Sequence, residues 1–204
     1  MADAVLSRRA AVFLGLLLAG CGGHEDKHFE PLRYDYLTKI RLNVGRIDID
    51  TSWTPRGGDR HVEFLAPTPP LDALRNMAQD RLVPGGTAGR ALFTVVDASI
   101  IRQGDTYRAT LAVRLDLLND DGDRVRGIQA RATGSHPVTG GASEVVRSDL
   151  YELTRKSMDD MNVEFEYQIR HNLQTELQNT SPTAPAPPPV DTEDLDAPAP
   201  KKTP

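Results

Sequence analysis

The chain is poor in the groups on which many functions depend. It has one cysteine, Cys21, among 204 residues, which excludes an intrachain disulfide and a Cys-ligated zinc site. It has no excess of positive charge: 24 Lys and Arg against 29 Asp and Glu leave a net charge of −5. Nucleic-acid binding by phosphate neutralisation is therefore not expected. After the first twenty residues no apolar run reaches membrane-spanning length. Gly-x-Ser-x-Gly, His-Glu-x-x-His, the Walker loop and the Rossmann glycine pattern are all missing. No repeat is visible. The reading from the residues is a non-enzyme without a cofactor or a metal.

What is present begins at the N-terminus. Arg8 and Arg9 form a basic start, Ala10–Leu18 an apolar stretch too short to cross a bilayer, and Ala19 and Gly20 are small residues before Cys21. These are the three parts of a secretory signal. Leu18-Ala19-Gly20-Cys21 resembles the lipobox of bacterial lipoproteins. That resemblance implies cleavage between Gly20 and Cys21, a diacylglycerol on the Cys21 thiol and an acylated new amino terminus. Two or three acyl chains give stable anchoring. Removing Arg8, Arg9 and Asp3 makes the mature chain about one unit more negative than the precursor. Ser7-Arg8-Arg9 also faintly resembles a twin-arginine signal, beside the plainer reading as a basic start. Gly22 follows the cysteine where an Asp favours retention in the inner membrane. By that resemblance the periplasmic face of the outer membrane is favoured.

The chain divides into a signal peptide (1–20), a lipidated tether (21–36), one α+β domain (37–178) and a Pro-rich tail (179–204). The tail holds eight prolines and is expected to be disordered with polyproline II character. In the tether His24 and His28 flank Glu25 and Asp26, but the Gly22-Gly23 lead-in argues against a fixed metal site. Within the domain, Ile40, Leu42 and Val44 alternate, and Ile47 and Ile49 alternate in the other register. One strand with a bulge at Gly45 is expected, closed by Trp53 as a packing residue. His61–Leu65 reads as a short edge strand. A helix is expected from Thr68-Pro69-Pro70, with Thr68 as N-cap and Leu71, Leu74, Ala78 and Leu82 on its buried face. Pro84-Gly85-Gly86 stops it. The near-continuous apolar run Arg90–Arg102 predicts a central strand buried on much of both faces. Asp97 within it needs a cross-strand arginine or an exposed edge.

Tyr107–Leu117 alternates cleanly and predicts a strand with one wet face. Asn119–Asp123 predicts a hairpin turn rather than a calcium loop, because the EF-hand spacing and its distal Glu are missing. Val125–Thr133 returns as a strand with Ile128, Ala130 and Ala132 inward. From Ser143 to about Leu177 the spacing predicts a helix of about 50 Å. Such a helix either breaks near Asn162 or projects past the sheet with Ile169, Leu173 and Leu177. Asp159, Asp160, Glu164 and Glu166 read as helix surface, and His136 and His171 as isolated.

The order strand, helix, strand, strand, strand, helix gives an α+β two-layer sandwich. Its sheet is mostly antiparallel, with about four strands and both helices on one face. Over Leu37–Leu177 this order resembles proteobacterial envelope lipoproteins, including auxiliary lipoproteins of ABC-type transport systems. Pro69–Leu82 and Gly89–Ser99 also resemble alphaproteobacterial lipoproteins of no assigned activity. The combined expectation is a membrane-anchored periplasmic accessory protein that docks on an envelope complex. The partners are the membrane, through Cys21, and an envelope protein. The alternative is a lipid- or small-molecule-binding module with Met77, Met158 and Met161 lining a gap between helices and sheet. Asp48, Asp50, Arg108, Arg114, Asp116, Gln129 and Arg131 are expected on the uncovered sheet face.

Overall fold

The computed structural model describes residues 28–58 and 60–177. Cys21, Gly20, the tether residues before 28 and the tail from 178 lie outside them. Six strands and two helices follow in the order β1 (Ile40–Leu42), β2 (Arg46–Asp50), α1 (Pro70–Arg81), β3 (Leu82–Pro84), β4 (Arg90–Gln103), β5 (Thr106–Leu118), β6 (Arg124–Pro137) and α2 (Ser143–Asn172). The main sheet runs β2-β4-β5-β6. Only its β2–β4 pair is parallel, joined by the α1 crossover. Helix α2 lies along β6 and β5, and α1 lies over β4, on the same face. The expected α+β sandwich with a long C-terminal helix is the observed architecture.

Several local expectations change. The Ile40–Ile49 strand is two strands in two sheets: β1 pairs in parallel with β3, and β2 with β4. The change of side-chain parity at Gly45 marks a change of sheet, not a bulge. Leu82–Pro84, expected as the end of α1, is the strand β3. His61–Leu65 makes one bridge, His61 to Ile101, and then a 3-10 turn over Glu63–Leu65. Thr68 caps nothing; the N-cap position is Pro69, Pro70 is the first helical residue, and no side chain caps the helix. Likewise Ser143 is the first residue of α2, preceded by Ala142 as its N-cap.

β4 is central but not buried on both faces. Ala91, Phe93 and Val95 face the helices, a bulge follows between Val95 and Asp97, and then Ala98 and Ile100 face them. The extra residue switches parity, so two inward series of opposite phase read as one continuous apolar run. Val96, at the bulge, is exposed. Asp97 is half-buried and accepts the Ser99 amide at 3.1 Å. β5 buries Tyr107, Ala109, Leu111, Val113, Leu115 and Leu117, as its alternation predicts. Phe93 meets Phe165 of α2 edge to face, with centroids 5.7 Å apart. Gly134 on β6 faces Ser157 and Leu153 so closely that any β-carbon there would strike the Ser157 hydroxyl. A side chain at 134 would force Ser157 and Leu153 to give way.

Helix α2 neither breaks at Asn162 nor projects. Asn162 donates to the Met158 carbonyl at 2.9 Å, and its side-chain oxygen accepts from Arg81 at 3.1 Å. The helix ends at Asn172; Ile169 and Leu173 are buried, and Leu177 forms a bridge with Leu42. The last turns therefore pack on this chain's own small β1–β3 sheet.

Arg81, the last residue of α1, is 1 % exposed. Its guanidinium pairs with Glu166 and donates to the Asn162 carbonyl at 3.3 Å and the Thr38 carbonyl at 3.4 Å. One side chain thus ties α1, α2 and the chain entering β1. Burial pushes the Glu166 carboxyl up, but hydrogen bonds from Arg81 and Arg170 outweigh it and hold the pKa below the usual value. Beside Arg81, Asp80 receives Arg33 and the Tyr34 amide, and Lys39 donates to its carbonyl. Residues 29–34, expected within the tether, form a strap across both helices. Phe29 stacks near Tyr151 at 5.2 Å, Tyr151 donates to the Glu30 carbonyl, Asn76 holds the Leu32 carbonyl, and Leu32 and Tyr34 are buried.

Arg81→Ala, which leaves Glu166 and Asn162 facing a hole, is expected to lower unfolding free energy by about 3 kcal/mol in urea denaturation. A loss below about 1 kcal/mol contradicts the role given to the guanidinium. The Arg33 hydrogen bond and the Tyr34 amide hold the Asp80 carboxyl below its ordinary value, against its burial. A depressed carboxyl stabilises the fold above its unfolded pKa, and that stabilisation disappears as pH falls through the folded value. Wild type is therefore expected to lose more stability than Asp80→Asn between pH 7 and about pH 3, measured by urea midpoints.

Candidate docking face

Because both helices lie on one side, no described element forms a layer over the other face of the main sheet. Strand register places its side chains in rows. Asp48, Leu92, Asp116 and Gly127 share one row; Arg46, Arg90, Leu118 and Arg124 share the next. Asp50, Thr94, Arg114 and Gln129 share the row on the other side. Arg108 and Arg131 lie farther along the same face and are exposed. All seven residues expected on this face are on it.

The rows form two Arg–Asp–Arg groups. Asp116 is 6 % exposed and lies between Arg114 at 2.7 Å and Arg124 at 2.8 Å. Asp48 lies 3.6 Å from Arg46 and 3.8 Å from Arg90. Gly127 makes the first group possible. A β-carbon there would strike the Arg124 guanidinium and come within 2.5 Å of the Asp116 carboxylate. Each aspartate neutralises one of its two arginines, so each group keeps a positive charge. Arg108 and Arg131 have no ion pair among the described residues. With Asp50 and Asp97 counted as well, the strands carry six arginines against four aspartates on this face, a small positive surplus on a chain whose net charge is −5.

Trp53, just past β2, is half-buried against the main core and borders this face. It packs as expected, and it also forms a ridge with Arg56 and Val96. Two shallow grooves of about 280 and 300 Å³ flank that ridge, one reaching Thr94 and Arg114 and the other His61, Asp97 and Ser99. The hydrogen bonds of Ser52 hold the Asp50 carboxyl below its ordinary pKa. At the opposite end a groove of about 520 Å³ opens between Arg46, Arg90 and the β5–β6 turn. That turn is a hairpin, as expected. Gly122 has φ 89°, Asn119 bonds the Gly122 and Asp123 amides, and Asp120 accepts the Gly89 amide at 2.7 Å.

The remaining candidates are dispersed. Asp159 pairs with Arg155, Glu164 with Gln168, and Glu166 with Arg81 and Arg170, along one helix surface. His136 stands 4.0 Å from Asp149, which is held by Thr139, and His171 stacks on Tyr167. His28 is exposed; its expected companions His24, Glu25 and Asp26 lie outside the described residues. Met77, Met158 and Met161 are fully buried in the main core. Sequence reading missed Arg46, Arg90 and Arg124. The first two carry a visible signal, since each lies two residues before a residue of the Asp48 row. Arg124 carries none, because a register shift at Leu117–Leu118 decides its row.

No family model matches this sequence, and no curated protein matches it. Among solved structures, a candidate lipoprotein from Caulobacter crescentus overlaps at TM-score 0.40 and 11 % identity, over 65 % of this chain and 93 % of its own. A Xanthomonas campestris protein of the DUF330 family overlaps at TM-score 0.40 and 12 % identity, over 68 % and 93 %. At such scores the overlap carries no argument about what this chain does.

Gly127→Ala is expected to displace Arg124 from Asp116 while the fold persists. In a double-mutant cycle of Asp116→Asn with Arg124→Gln, coupling of about 0.5–1 kcal/mol should fall to near zero in the Gly127→Ala background. Unchanged coupling shows that the glycine is not needed for the pair.

Proposed function

We propose that this protein is a lipid-anchored periplasmic accessory protein that docks on an envelope complex through the uncovered sheet face. The anchor reading rests on Leu18–Cys21, and among the described residues no helix is long and apolar enough to cross a membrane. The docking reading rests on one observation above the rest. Trp53, Arg56 and Val96 form a ridge between two grooves on a positive, uncovered sheet. Tryptophan and arginine in such a setting are the residue types that carry most binding energy at protein interfaces. The partner this face fits is an acidic protein surface, because fixed positive groups attract it and speed the encounter. The outer membrane is the favoured location on the Gly22 argument. The competing ligand-binding reading needs methionines bordering a gap, and Met77, Met158 and Met161 fill the core instead.

The test combines fractionation with site-specific photocrosslinking in cells. Wild type is expected to carry acyl mass and sediment with membrane, and Cys21→Ser to be unacylated. A photocrosslinker at Val96 or Arg131 is expected to capture an envelope protein; one at Val163, exposed on α2, is not. Capture from Val163 alone moves the docking surface to the helix layer and ends the sheet-face reading.

A further inference from the structure

The strap and an exposed apolar turn meet at the same stretch of α2. Phe29 lies against Tyr151, with the Arg147 guanidinium 5.5 Å from its ring centre. Around Leu150 and Leu153 a small second core gathers Ala66, Ile100, Tyr107 and Ala109, with Val62 and Val146 against it. Phe64 and Leu65 stand between Val62 and Ala66, on the 3-10 turn. They are 70 % and 43 % exposed.

The turn is held firmly despite this exposure. Leu65 donates to the Val62 carbonyl at 3.0 Å and Ala66 to the Glu63 carbonyl at 3.2 Å. The Glu63 side chain is buried, accepts the Ile100 amide at 3.2 Å, and lies 3.2 Å from His61. On this edge of β4 the backbones of Arg60 and Val62 pair with Arg102 and Ile100, and the Glu63 carboxylate takes the Ile100 amide beyond them. It fixes a turn whose two outward residues are large and apolar. Arg60 lies four residues before Phe64, Arg147 lies on α2 beside Phe29, and both are exposed.

Chain length decides what this turn faces. Seven residues, 22–28, separate Cys21 from Phe29, and seven residues span at most about 25 Å. The end of the domain bearing Phe29, Phe64 and Leu65 is therefore the end nearest a bilayer that holds lipid on Cys21. The Arg90 end of β4 lies about ten residues, or roughly 33 Å, away.

We propose that Phe64 and Leu65 enter the headgroup–acyl boundary of that bilayer, with Arg147 and Arg60 at the level of the lipid phosphates. This rests on the anchored reading above and adds an orientation to it. The turn is a second membrane contact beside the lipid, and the uncovered sheet face stands across the membrane surface. Two or three acyl chains on Cys21 already hold the protein to the bilayer, so what the turn adds is orientation of the domain rather than anchoring.

Acylation leaves no free thiol, so a single introduced cysteine can be spin-labelled in the full-length mature lipoprotein. The protein is reconstituted in phosphatidylethanolamine–phosphatidylglycerol vesicles, and intact mass establishes the acyl chains. A nitroxide at Leu65→Cys is expected to be more accessible to oxygen than to a water-soluble nickel chelate. A nitroxide at Val125→Cys, exposed near the other end of the sheet, is expected to show the reverse. Adding Phe64→Glu should return the Leu65→Cys label to aqueous values. Aqueous values at both sites on acylated, vesicle-bound protein overturn the proposal and leave the anchored reading standing. An intact mass without acyl chains removes both.

Discussion

A fully buried arginine sets the arrangement of this domain. Leaving a guanidinium out of water is costly unless its hydrogen bonds are met. Arg81 meets those of its two terminal nitrogens with Glu166, Asn162 and Thr38, which come from α2 and from the chain before β1, while its Nε is left without a partner. Those partners fix the height of α1 against α2 and the point where β1 begins. Asp80, one residue earlier, then holds the strap through Arg33 and Tyr34. Two successive charged residues at one helix end thereby join pieces of chain that are far apart in sequence.

Much of the fold was legible because side-chain periodicity reports burial. Tyr107–Leu117 and the stripe from Leu150 to Leu173 read correctly for that reason. Two of the misreadings share one cause: parity shows a change of face but not what produces it. At Gly45 the change separates two sheets. At Val95–Asp97 it is a bulge within one strand, where two valines side by side hid it. Asn162 suggested a helix break on local grounds, and a partner 81 residues away, Arg81, turned it into a helix-holding contact. Glu63 was read as part of a strand; backbone pairing with β4 stops at Val62, and the Glu63 side chain takes the Ile100 amide instead.

The sheet face was legible as a set of residues but not as an electrostatic surface. Alternation alone placed Arg114 and Asp116 on it. Which arginine meets which aspartate depends on inter-strand register, and register depends on the shift at Leu118 and on an empty position at Gly127. The charge left over after pairing, which is what a partner meets, follows from those details. Cys21, the strongest sequence signal, lies outside the described residues, so the location of the protein rests on the sequence alone.

The strap gives an anchored form of this protein two working heights. With residues 29–34 packed, the span between lipid and domain is the seven residues before Phe29. Peeled from the helices, the same six residues lengthen that span by about 20 Å, nearly doubling it. Neither the sheet nor the Arg81 junction lies between the strap and the lipid, so the extension withdraws Leu32 and Tyr34 from the main core but breaks no strand pairing. A pull on the domain would first draw on this stored length, at a threshold set by Asp80, Asn76 and Tyr151, before any strand came under load.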